Sequence, residues 1–184
     1  MPLPILADDL RQFRKLKDLA EDAISQIKDN DLFQVLDAES NSIALIMKHI
    51  GGNLRSRWTN FLTTDGDKPD RKRDSEFLIS EEDTRENIFK IWDQGWECAF
   101  NALESLRAED MSRTVRVRGE PHSVPQAIQR NLVHTAYHVG QIVFLAKHFA
   151  SDHWRTLSIP RGKSEEFVAT MRQKWEKASS PDES

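Results

Sequence analysis

The stretch from Val124 to Phe149, VPQAIQRNLVHTAYHVGQIVFLAKHF, constrains the fold most. Apolar or small side chains recur at Ile128, Leu132, Thr135, Val139, Ile142, Val143 and Ala146. An α-helix turning about 100° per residue gathers these positions on one face, whereas a strand would split them between two. Ser123 stands where an N-cap belongs, Pro125 falls in the first turn, and Gln126 occupies the position that closes a capping box. A helix of this length with one apolar stripe must bury that stripe against other elements.

The rest of the chain offers partners of the same kind. A first helix is expected from about Leu6 to Leu36, with Leu10, Phe13, Ala20, Ile24 and Ile27 facing inward. A second is expected from about Ser40 to Leu62, with an inner stripe of Ile43, Met47, Ile50, Leu54, Trp58 and Phe61. The third opens at SEED, where Ser80 and Asp83 have capping-box spacing, and continues through Ile88, Trp92, Ala99, Leu103 and Leu106. In TVRVRGEPHSV, Val115 and Val117 alternate with Arg116 and Arg118 before Gly119 and Pro121, the pattern of a short strand or hairpin arm. A last helix, about Ser164 to Lys177, carries Phe167, Met171 and Trp175. The predicted fold class is all-α: a four-helix bundle with a short β element before the fourth helix and an extra C-terminal helix. One domain is expected over 1–178, with 179–184 as a disordered tail.

A chain of 184 residues buries a core without a structural metal, so any metal site is free to be functional. The net charge of −4 argues against nucleic acid as a partner, because phosphate binding needs a basic surface. Cys98 is the single cysteine, which excludes an internal disulfide and a cysteine-rich zinc site. The opening MPLPILADDLRQF lacks a basic start followed by an apolar run, and no stretch approaches the roughly 20 apolar residues of a membrane span. A cytoplasmic protein with no membrane partner is expected.

His134 and His138 lie four apart on the fourth helix, so their imidazoles share a face one turn apart. That spacing chelates a single ion in helical zinc sites, although one buried, hydrogen-bonded histidine is the plain alternative. His49 flanks the stripe of the second helix at an offset like that of His134 from its own. Two packed helices would bring the three together as a facial site with open positions for water or substrate. Zinc, nickel, copper and iron all accept imidazole, zinc and nickel first. Position 135 is Thr, so the glutamate of an H-E-x-x-H protease is missing. Asn53 and Gln141 lie about one turn beyond His49 and His138, where they either orient the imidazoles or serve as surface amides. His122, His148 and His153 read as surface or capping residues.

The run DGDKPDRKRDSEF is read as a solvated loop, with a lid carrying arginines toward an anionic group as the alternative. Arg55 and Arg57 are expected to project away from His49, toward solvent or acidic loop partners. Cys98 is expected to be a small core residue. RGKS at 161–164 is no phosphate loop, because position 157 is Leu where the first glycine is needed. Val133, Tyr137, Gly140 and Phe144 form a second stripe on the fourth helix, suited to a dimer face or to covering by the terminal helix.

A histidine in the second helix followed by HTAYHVGQI in the fourth resembles the DinB/YfiT-like superfamily of four-helix-bundle metalloproteins. NSIALIMKHIGGNLRSRWTNFLTTDGDKPDRKRDSEF, VRVRGEPHSVPQAIQRNLVHTAYHVGQIVFLAKH and WRTLSIPRGKS resemble, more closely, a branch of it catalogued as a domain of unknown function. The resemblance implies a divalent transition metal on His49, His134 and His138, and a homodimer. Some superfamily members are similar to thiol S-transferases that use bacillithiol, mycothiol or glutathione. A metal-dependent transferase joining a small thiol to an electrophile is the function so implied. The alternatives are a metal-dependent hydrolase at the same site, or a non-catalytic, stress-related dimer with a structural metal.

Overall fold

The computed structural model describes residues 4–179. It is mostly helical, with five α-helices and one small antiparallel sheet among the described residues: α1 Pro4–Ile24, α2 Ile43–Trp58, α3 Arg85–Ser105, β1 Thr114–Val117, β2 Glu120–Ser123, α4 Val124–Ala150 and α5 Ser164–Ser179. The chain groups into two compact units that divide between His153 and Trp154. None of its helices is long and apolar enough to cross a membrane.

In the first unit α2 packs most extensively on α3 and α1 on α4, while α2–α4 and α1–α3 contacts complete a ring. The predicted stripes of α2 and α3 are buried, while Ile27 after α1 and Leu132 and Val143 on α4 are only half-buried. Ile43, Met47, Ile50, Leu54, Trp58 and Phe61 are all buried, as are Ile88, Trp92, Ala99, Leu103 and Leu106. Phe13 sits edge-on between Trp58 and Trp96, at 6.0 and 6.3 Å between ring centroids. Buried aromatic edges of this kind add attraction beyond the area they remove from water.

Two glycines set the distance between α2 and α3. A Cβ on Gly51 would stand 2.5 Å from the Ile91 carbonyl oxygen, and one on Gly95 would stand 2.6 Å from the Gly51 oxygen. The helices therefore touch backbone to backbone.

The predicted boundaries differ from the observed ones where side chains compete for backbone groups. The first helix was expected to reach Leu36 but ends at Ile24. The Asp31 carboxylate accepts from the Lys28 amide and closes a separate 3₁₀ turn, Asp29–Phe33. The third helix begins at Arg85, not at the SEED segment, because Thr84 Oγ1 caps the Asn87 amide. Ser80 and Asp83 close the turn before it. The Ser123–Gln126 box at the head of α4 forms as predicted, with both reciprocal bonds made.

The β element is a hairpin closed by Arg118 and Gly119, both at positive φ (56° and 78°), the two-residue turn whose twist suits paired strands. Asp65 accepts from both turn amides, at 2.8 and 2.7 Å, and so ties the hairpin to the connection that follows α2.

In the second unit, α5 opens after Gly162 with an ion pair between Lys163 and Glu166. Phe167, Val168 and Trp175 are exposed along it. Of the tail expected at 179–184, Ser179 ends α5 and 180–184 lie outside the described residues.

Candidate metal centre

α2 and α4 run past one another in opposite directions, so that His49 meets His134 and Asn53 meets Asn131. Helical geometry makes each contact line a register of fours: His49, Asn53 and Arg57 on α2, and Arg130, His134 and His138 on α4. The three predicted histidines come together. Their ring centroids stand 5.3 Å (His49–His134), 4.8 Å (His49–His138) and 4.7 Å (His134–His138) apart. One nitrogen from each lies within 4.8 Å of the other two, and this is the one cluster of potential metal-ligating side chains of this kind among the described residues.

Hydrogen bonds select the nitrogens. The Glu76 carboxylate sits 2.9 Å from His49 Nδ1, and Arg71 grips the same carboxylate through two bonds of 2.7 Å. Burial raises the Glu76 pKa, but Arg71 and His49 outweigh it and hold the carboxyl below its usual range. An ionised carboxylate only accepts, so His49 Nδ1 carries the proton and Nε2 presents its lone pair. Gln141 Oε1, 2.8 Å away, imposes the same tautomer on His138. The expected role of Gln141 is thus met in its geometry. Asn53 instead accepts from Asn131 Nδ2, whose oxygen accepts from Trp58 Nε1. That polar chain braces α2 against α4 beneath the histidines.

His134 Nε2 faces His49 Nε2 at 3.3 Å. Two nitrogens on one tetrahedral ion with bonds of 2.0–2.1 Å stand about 3.3 Å apart. Without an ion, a single proton between His134 and His49 satisfies that contact. His134 Nδ1 is buried with no hydrogen-bond partner among the described residues. Burial first, then His138 and His49, pushes the His134 pKa down to about 3, so the ring is neutral at physiological pH, as a metal ligand must be. Burial likewise lowers that of His138. The donor set, its tautomers and the spacing fit a divalent transition metal.

Two residues depart from expectation. Glu76 lies in the charged run read as solvated, yet it is buried against His49, and the adjoining Phe77 ring lies 4.9 Å from the His49 ring. Arg57 was expected to point away but is buried, only 7 % exposed. The fours register on α2 was the available signal for Arg57. For Glu76 the only local signal was its neighbour Phe77, an aromatic ending a run of charges. Arg55 does reach an acidic loop partner, Asp70, at the surface. Cys98 is only partly buried, beside Thr59 rather than any histidine. His122 holds to Glu120, and His148 and His153 are exposed, all apart from the cluster.

A cleft of about 90 Å³ opens over His49 and His134. No curated protein matches the chain. A family model matches residues 4–163, and the chain belongs to the family it describes, "Protein of unknown function (DUF1572)".

Proposed function

We propose that the protein is a DinB-like metalloprotein in which α1–α4 form a four-helix bundle and His49, His134 and His138 hold one divalent transition metal, zinc or nickel first. The observation that carries this reading is the pairing of His49 with Glu76 and of His138 with Gln141, which leaves the Nε2 atom of each free to bind an ion within the cluster they form with His134. A bound ion would supply Lewis acidity, lowering the pKa of a small thiol or of water next to it. The protein's own groups hold and orient. Arg71 keeps Glu76 ionised, Glu76 fixes the His49 tautomer, and Phe77 covers the ring.

The cleft is lined by histidine, asparagine and arginine and by no carboxylate. That lining favours a nucleophile needing no general base, and so a thiol S-transferase over a hydrolase, whose water would be helped by a carboxylate. The exposed stripe of Val133, Tyr137 and Phe144 supports the homodimer that belongs to the same reading.

Elemental analysis of untagged protein tests the first step, with about one transition metal per chain expected and none in His138→Ala. Full occupancy in that variant would sink the ligand assignment. Turnover of a chromogenic electrophile with a panel of small thiols tests the second. Metal-dependent product is expected, and its absence with every thiol favours a non-catalytic metal protein.

A further inference from the structure

We propose that the cleft beside His49 and His134 is an oxyanion site, in which Arg57, Arg73, Arg118 and Arg130 receive the carboxylate or phosphate group of a small acidic molecule. The cleft stands on its own geometry. That the acidic molecule is the substrate of the metal site rests on the metal reading above.

Arg57 carries the argument. It is 93 % buried, its Nη1 has no hydrogen-bond partner, and no carboxylate within ion-pair distance faces it among the described residues. Asp65 and Asp67 act on it only from beyond ion-pair distance, and a guanidinium nitrogen buried without a hydrogen bond is unfavourable, so a further counter-charge is the simplest account of its retention. Its seat is built rather than incidental. A Cβ on Gly66 would stand 2.8 Å from Arg57 Nη1 and 2.9 Å from its Cδ, so only glycine leaves room for the side chain. Gly66 is itself fixed, its amide donating to Arg116 O and its carbonyl accepting from Ser56 Oγ.

Three more arginines line the same space. Arg118 is delivered by the hairpin turn that Asp65 holds. Among the described residues its only ion pair is to Asp67 at 3.4 Å, and Arg130 reaches Glu120 only at 3.5 Å. Arg73 lines the cleft and has no ion pair among the described residues. Two weak contacts at the rim do not balance four cations. The mutual repulsion is visible in Arg57, whose pKa burial, then Arg130, Arg71 and Arg118, push down to about 10. It stays charged at neutral pH. The volume suits one oxyanion group, and guanidinium forks match carboxylate and phosphate geometry. Because His49 and His134 form part of the wall, a molecule anchored there by its acidic group would place its next atoms over the histidines.

The test is titration calorimetry on the full chain, metal-free and metal-loaded, with inorganic phosphate and separately with succinate, in sodium chloride of matched ionic strength. Metal-free protein is expected to bind at least one of the two, and which it binds assigns the group. Arg57→Met and Arg130→Met should each weaken that binding at least tenfold. Arg130 is at the exposed rim, so its variant keeps the test valid if Arg57→Met fails to fold. No binding beyond chloride, or unchanged affinity in a folded Arg57→Met, overturns the proposal. So does anion binding that requires the metal and vanishes in His138→Ala, which would put the anion on the ion and not on the arginines. Anion binding to protein in which elemental analysis finds no metal would support the cleft and remove only its link to the metal.

Discussion

A Cβ on Gly52 would run into Glu76 Oε1, three residues beyond His49 on the same helix. The residue thus leaves the space in which the carboxylate meets the imidazole. Gly52→Ala sets two effects against each other. Alanine favours the helix by about 0.5–1 kcal/mol, and the obstacle is the end of a side chain that can swing away. The fold is expected to survive with stability changed by less than about 1 kcal/mol. Metal affinity, read by competition with a chromogenic chelator, should fall roughly 10–100-fold as Glu76 loses its place on His49. At the same scale, His134 sets a pH dependence. Its folded pKa of about 3 lies below the 6.5 of an unperturbed histidine, so the unfolded chain binds the extra proton between those values. Metal-free protein should be at full stability above about pH 6.5 and lose it as pH falls from there toward 3. Urea midpoints across pH 7.5 to 4.5 that stay level would contradict this, and in His134→Ala the histidine's share of the slope should vanish.

The histidines were legible because helical angles are arithmetic on the sequence. His49 and the pair at 134 and 138 needed only stripes and offsets. Arg57 was equally available from the same arithmetic, but its charge argued for solvent, and local preference gave the wrong side. Glu76 had no such route. Its position depends on how the connection after α2 folds back, which no periodicity encodes.

Among the elements, the α2–α3 seam is the least forgiving. Gly51 and Gly95 meet with no side chain between them, and a Cβ at 95 would press on backbone, which cannot swing aside. Gly95→Ala is expected to destabilise by about 1–3 kcal/mol in urea unfolding, more than Gly52→Ala, because helices must separate to admit the methyl. Equal, negligible effects at 52 and 95 would refute the distinction. Helix existence and core faces followed from apolar spacing. The ends did not, since Asp31 and Thr84 decided them through side-chain bonds that compete with helix continuation.

For the whole molecule, net charge proved a poor guide to local field. A chain at −4 gathers four arginines around one cleft whose lining holds no acidic residue, Asp67 and Glu120 meeting two of them only at its rim. The exclusion of nucleic acid is an expectation from the total, whereas the anion site follows from placement. Metal binding should also register globally. An ion at a hundred times its dissociation constant stabilises the native state by about 2.7 kcal/mol, or roughly 5–10 °C in Tm for a chain of this size. Differential scanning with and without zinc should show that rise in wild type and none in His138→Ala. A rise in both would place the ion elsewhere.

All three histidines ride on helices, and α2 is pressed onto α3 at the glycine seam, whereas Glu76 and Phe77 arrive on the connection between those helices. The segment 71–77 is the part of the surround that belongs to no α-helix, joined to His49 through the Arg71–Glu76 link. On the metal reading proposed above, entry and exit at the histidines would be events of local opening, timed by rupture of the Arg71–Glu76–His49 link rather than by unfolding of the chain. Residence time and global stability would thereby be uncoupled. A distant substitution that doubles the lifetime of the native fold leaves the exchange rate at the site where it was, while one that loosens Arg71 shortens residence in a protein that melts almost as before.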